Sequence, residues 1–312
     1  MTNSNSPTLE PGTLCSSISR SNDEQLFGTA TQAQVWFLLE YPQIYGAKAF
    51  EESDLPEAVK VHLASIVKST PGARVQLIKS DASPYPGKVS FFIAFTSEAR
   101  PRLYEFQLAE YHEIRNLDFQ KIIDNKGEYQ KYLREEPLYL VCTNGRRDPC
   151  CAKLGLPFST SLSAQEPDST WQTSHVGGHR FAANLVCFPH GLFYGRLEEA
   201  DAGRVIETYC RGEFYLEKYR GRSCYTGPVQ AAEYFLHTQT GVKTISTFHL
   251  QSTQAVGENR WEVVFSETSA GQRYQLVILG VPSEFEILQS CRDTQKTKVM
   301  QFRLETYQAV GK

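Results

Sequence analysis

The side chains of the kind that ligate metals between positions 142 and 179 include Cys142 and Cys151, then His175 and His179 flanking Val-Gly-Gly. If one centre takes all four, two sulfurs and two ring nitrogens far apart in the chain must converge within bonding reach of it. Two thiolates and two imidazoles make a complete ligand set for Zn²⁺ or for a [2Fe–2S] core. The fold must therefore return separate stretches of chain to one point.

The local sequence shows how. Leu138–Cys142 (LYLVC) reads as a short apolar strand that stops at Thr143-Asn144-Gly145, which leaves the Cys142 sulfur facing a loop above the sheet. Gly145 lets backbone N–H groups approach a centre held there. A helix is expected from about Cys150. Gly177-Gly178 disfavours a helix by about 1 kcal/mol per residue relative to Ala, and no Glu follows His175, so the zinc-protease pattern His-Glu-x-x-His fails. Zinc knuckles place their first two cysteines two to four residues apart, and a gap of eight gives a wide loop better suited to a two-iron core. Structural zinc stays open as the alternative. No Cys-x-x-Cys occurs, which disfavours a thioredoxin-type dithiol. The vicinal pair Cys150-Cys151 is a candidate strained disulfide, and only spacing favours Cys151 over Cys150 as the ligand.

The surrounding 312 residues are long enough for two domains. Residues 1–24, rich in Ser, Thr, Asn and Pro, read as a flexible arm without the basic and apolar blocks of a secretory signal. Residues 25–130 give strand, helix, strand, strand, strand: Ala33–Tyr41, Leu55–Lys68, Arg74–Lys79, Lys88–Thr96 and Leu103–Leu108. This predicts an α/β sandwich, a candidate degenerate thioredoxin-like unit. A second unit, 137–229, continues with the strand at 138, the helix at 150, the hairpin Leu185–Phe188/Leu192–Arg196 and a helix over Glu198–Glu213, compatible with a thioredoxin-like layout. Residues 230–312 alternate as a β-rich extension. The fold class is α/β with a β-rich C-terminal extension. A formal charge of −3 argues against nucleic acid as the main partner, and no apolar run reaches the length of a membrane span.

Ser174-His175-Val-Gly-Gly-His179-Arg-Phe-Ala-Ala-Asn184 and Pro189-His-Gly191-Leu-Phe-Tyr194-Gly195-Arg196 resemble the sucrase/ferredoxin-like family. So do Val141-Cys142-Thr-Asn-Gly145-Arg-Arg147-Asp148 with Cys151, and Gly28-Thr29-Ala30 before Trp36. The likeness runs from about Cys15 to Gly227 and fades beyond. It implies a thioredoxin-like [2Fe–2S] ferredoxin domain whose cluster ligands fall on Cys142, Cys151, His175 and His179. Arg147, Asp148, Arg180 and Arg196 lie in the matching motifs, as surroundings of the centre or as ordinary loop ion pairs and caps.

The expectation is an electron-transfer protein working between a reductase and an acceptor protein, both unknown. It is read as a redox component rather than a stand-alone enzyme, resident in the cytoplasm. Two neutral imidazoles in place of thiolates would raise the potential and couple it to pH. A zinc-stabilised, non-redox binding module is the alternative. Cys15, Cys224 and Cys291 are too isolated in sequence to assign.

Overall fold

The computed structural model describes residues 13–81, 85–268 and 271–311. The chain opens with helix α1 (Cys15–Ser21), then strand β1 (Val35–Glu40), helix α2 (Glu57–Ser69) and strands β2 (Ala73–Lys79), β3 (Val89–Phe95) and β4 (Arg102–Leu108). Short turns and helix α3 (Phe119–Ile123) lead to β5 (Leu138–Cys142), helix α4 (Pro149–Ser163), β6 (Thr170–Thr173), β7 (Leu185–Phe188) and β8 (Leu192–Tyr194). Helix α5 (Ala202–Cys210), strand β9 (Tyr219–Arg222) and helix α6 (Gly227–Thr240) follow. The last strands are β10 (Phe248–Gly257), β11 (Arg260–Glu267), β12 (Arg273–Pro282) and β13 (Met300–Val310).

Nine strands form one mixed sheet in the order β4-β3-β1-β2-β6-β5-β7-β8-β9, and β10 to β13 form a separate antiparallel sheet. The large sheet repeats itself. In the first half β1 runs parallel to β2 and antiparallel to β3, which pairs with β4. In the second half β5 runs parallel to β6 and antiparallel to β7, which pairs with β8. Each half places a helix between its two parallel strands, the strand–helix–strand–hairpin order of a thioredoxin-like unit. The halves meet edge to edge where β2 and β6 pair antiparallel, Ile78 opposite Thr173 and Lys79 opposite Gln172.

The apolar runs of β1 and β5 follow from burial on both faces. Phe37, Leu39 and Val35 pack with Val59 and Leu63 of α2. The alternate residues Trp36 and Leu38 face a second core, shared with Leu138, Leu140, Cys142 and Cys151 from the other half. Cys142 thus lies at the end of β5 in the core that joins the halves.

The reading of residues 1–24 as a flexible arm is corrected for its last part. Cys15–Ser21 is helical, with Cys15 and Ile18 buried. Ile18 is the apolar anchor in a serine-rich stretch, and it packs with Ile287, Leu288 and Val299 from the far end of the chain. Residues 1–12 lie outside the described residues. No helix among the described residues is long and apolar enough to cross a membrane.

Candidate metal centre

Cys142 ends β5, and Cys151 lies in the first turn of α4. The helix starts there because Asp148 caps it, accepting from the Cys150 N–H at 3.0 Å, with Pro149 in the first turn. α4 comes close to β5 at Gly155, where an added Cβ would collide with the Cys142 carbonyl. Glycine at that point lets the two cysteines approach.

His175 follows β6, and the chain then turns through Gly177 (φ +100°) and Gly178 (φ +71°) into a short 3₁₀ turn, His179–Phe181. The left-handed conformation explains both glycines. A loop, not a helix, carries the histidines, as their spacing predicts. Four consecutive carbonyls of this loop are held by side chains from elsewhere. Arg74 donates to His175 at 3.2 Å and Thr31 to Val176 at 2.7 Å. Arg220 donates to Gly177 at 3.1 Å and Asn184 to Gly178 at 2.9 Å. Arg220 is 1% exposed and also binds the Thr29 carbonyl and the Asn184 side chain. Arg74 in turn lies over the Trp36 ring at 4.7 Å.

The donor atoms of Cys142, Cys151 and His175 all lie within 4.8 Å of one another. The Cys151 sulfur is 3.9 Å from Nδ1 of His175. The His179 ring lies 4.9 Å from that of His175, outside the tight trio. Its Nδ1 is buried with no hydrogen-bond partner, while its Nε2 is 3.8 Å from the Asp148 carboxylate. A buried imidazole nitrogen left unpaired, beside two thiols and a second ring, is the donor set a soft or borderline metal requires. Carboxylate backing of the opposite nitrogen is the usual support of a metal-ligating histidine. Cys142, Cys151 and His175 therefore fit a metal centre, with His179 beside them.

Electrostatics favour a thiolate here. A hydrogen bond from Cys151 holds the Cys142 thiol well below its ordinary value against the opposing effect of burial, with His175 and the Val176 N–H assisting. Cys151 is pushed up by the same pairing and by its burial. Burial lowers His179, keeping the ring neutral, although Asp148 acts the other way. A groove of about 570 Å³, lined in part by Phe50, Val67, Lys68, Arg74 and Arg147, opens beside His175.

The structure separates Cys150 from Cys151. Cys151 joins Cys142 and His175, whereas Cys150 faces Cys15 and Cys291. Of the neighbouring charged residues, Asp148 reaches the centre, while Arg180 pairs with Glu24 at 2.8 Å and Arg196 donates to the Glu24 carbonyl at 2.7 Å. Sequence reasoning missed Thr31, Arg74 and Arg220, which lie far from the motif and carry no local signal.

The family model described as sucrase/ferredoxin-like matches residues 26–221. The chain belongs to this family. Among similar curated proteins, altered inheritance of mitochondria protein 32 of Meyerozyma guilliermondii is 32% identical over 113 residues, covering 33% of this chain and 40% of that protein. Its namesake from Debaryomyces hansenii is 37% identical over 95 residues, covering 27% and 35%. That from Clavispora lusitaniae is 30% identical over 111 residues, covering 31% and 41%. The chain thus spans well under half the length of these curated relatives.

These relatives correct the functional expectation. They are named for mitochondrial inheritance, not as iron–sulfur ferredoxins, and the family description supplies no electron-transfer activity. Electron transport by an iron–sulfur carrier, with its reductase and acceptor, is withdrawn. The physical reason is general: a ligand set limits what can bind at a site, and the function of the whole protein does not follow from it.

Proposed function

We propose that this chain is a metal-binding protein that serves mitochondrial inheritance, with Cys142, Cys151, His175 and His179 holding one metal centre. The convergence of the Cys142, Cys151 and His175 donors within 4.8 Å carries the reading. The unpaired Nδ1 of His179 supports it as the fourth ligand. The mitochondrial part comes from the relatives' name. Two centres suit two thiolates and two imidazoles, a single Zn²⁺ and a [2Fe–2S] core. The protein's own part is to keep the donors together: Gly155 seats α4 on β5, and Arg74, Thr31, Arg220 and Asn184 fix the histidine loop.

Metal and acid-labile sulfide analysis of anaerobically purified full chain tests the site and names the centre. One such centre per chain is expected here, and its metal is lost in Cys142→Ser and in His179→Ala variants that stay folded. Metal content unchanged by both substitutions overturns the assignment. For the biological role, a Debaryomyces hansenii strain lacking its own relative should regain mitochondrial inheritance with the unmodified chain but not with Cys142→Ser. Fractionation of the same cells tests cytoplasmic residence against a mitochondrial one.

A further inference from the structure

A second group of donors lies on the other side of α4. Cys15 opens α1, Cys150 is the second residue of α4, and Cys291 sits in the loop between β12 and β13. Their sulfurs meet: Cys150 is 3.5 Å from Cys15 and 3.3 Å from Cys291. The Asp148 carboxylate completes a set of four whose donor atoms all lie within 4.8 Å of one another. We propose that Cys15, Cys150, Cys291 and Asp148 form a second metal site that takes a single Zn²⁺ and ties both ends of the chain to α4.

The spacing favours one ion. Tetrahedral zinc with Zn–S bonds of about 2.3 Å sets its ligand sulfurs about 3.8 Å apart, a small outward relaxation from those seen. A disulfide would draw two sulfurs to about 2.05 Å and leave the third thiol unmatched. Three thiolates and a carboxylate around Zn²⁺ carry net negative charge, and the thiol protons leave to solvent on binding. N–H and hydroxyl groups already point at this charge. The Cys15 N–H reaches the Cys291 sulfur at 3.2 Å. Asp148 accepts from the N–H groups of Cys150 at 3.0 Å and Cys291 at 2.8 Å, and from the Ser290 hydroxyl at 3.0 Å. Ser16 Oγ lies 3.2 Å from the Cys150 sulfur. Ile18, Ala182, Ile287, Leu288 and Val299 pack around the group, and Cys291 stays partly exposed.

Asp148 also lies 3.8 Å from His179 of the first centre, so the second site is tested with the cysteines of that centre removed. Full-length protein carrying Cys142→Ser and Cys151→Ser is titrated anaerobically with Co²⁺, which reports tetrahedral thiolate ligation by its visible and charge-transfer bands. One equivalent should bind and be displaced by Zn²⁺. Adding Cys291→Ser should abolish it, whereas Cys210→Ser, at an exposed position, should not. If the double variant does not fold, the unmodified chain and its Cys291→Ser variant should differ by one equivalent. Absence of tetrahedral cobalt in a folded double variant overturns the proposal. So do spectra indifferent to Cys291→Ser, or a disulfide among the three cysteines in protein alkylated before isolation.

Discussion

Cys150 and Cys151 are consecutive residues whose sulfurs face different clusters. Cys150 lies 3.3 Å from Cys291, and Cys151 lies 3.9 Å from the His175 ring nitrogen. The roughly 100° step between neighbours on a helix produces this divergence, so the first turn of α4 serves both sides. The position and tilt of α4 then control each group of donors, and several outcomes follow from what holds the helix and the facing loop.

Gly155→Ala should disable the first centre. Its methyl would meet the Cys142 carbonyl, backbone that cannot yield, so α4 must lift from β5 and carry Cys151 away. Overpacking of this kind costs about 1–3 kcal/mol. Metal analysis beside urea unfolding checks it; full metal content with unchanged stability would contradict the packing argument.

Gly178→Ala and Gly212→Ala form a matched pair. Both glycines have φ near +70°, Gly178 at +71° and Gly212 at +69°, so each substitution incurs about 1–2 kcal/mol of left-handed strain. At Gly212 nothing lies within 4 Å, whereas at Gly178 the new methyl would meet the Arg220 guanidinium. The Gly178 variant should lose more stability and also metal; the Gly212 variant should keep its metal. Equal behaviour of the two would refute the role given to Arg220.

Arg220→Met should destabilise the fold by about 1–3 kcal/mol, the usual cost of leaving a buried acceptor without its donor. The carbonyls of Thr29 and Gly177 and the Asn184 side chain would lose their donor in a buried site. Denaturant unfolding measures it. A loss below about 1 kcal/mol would mean water replaces the guanidinium.

Acid should weaken the protein through His190. Burial, and then the positive charge of Arg222, lower this histidine to about 4. Nδ1 lies 2.7 Å from the Tyr209 hydroxyl. The unfolded chain titrates near about 6.5, so the folded state resists protonation. This contribution is complete above about pH 6.5 and is lost as the pH falls towards 4, to a limit of about 3 kcal/mol. Unfolding measured at pH 7 and pH 4.5 should show a smaller loss in His190→Gln than in the unmodified chain. Equal losses would exclude His190 as the cause.

The sequence made much of this legible. The apolar runs at β1, β3 and β5 mark doubly buried strands, and the unusual pairing Cys142/Cys151 with His175/His179 marks the first group of donors. β6 was hidden because three of the four residues in Thr170-Trp-Gln-Thr173 are polar although all are buried; Gln172 accepts from Thr143 at 3.0 Å, while the Thr170 hydroxyl and the Trp171 N–H are buried without partners. α1 was hidden because its stability comes from packing against residues near 290, not from its own serine-rich sequence. Cys15 and Cys291 stand 276 positions apart, and no local pattern can announce their meeting. The family is carried by motifs; the biological role is not, because nothing in a cysteine or histidine records which cellular process depends on it.

The narrow join between the two thioredoxin-like units has a practical consequence. Two residue pairs, Ile78 with Thr173 and Lys79 with Gln172, bridge the strands there. Yet His175 begins just past the join and is gripped by Arg74 from the opposite side. Splitting the gene between the units would therefore yield a second fragment with its histidines adrift and the core around Cys142 and Cys151 laid open, and simple truncation is a poor route to a minimal version of this protein.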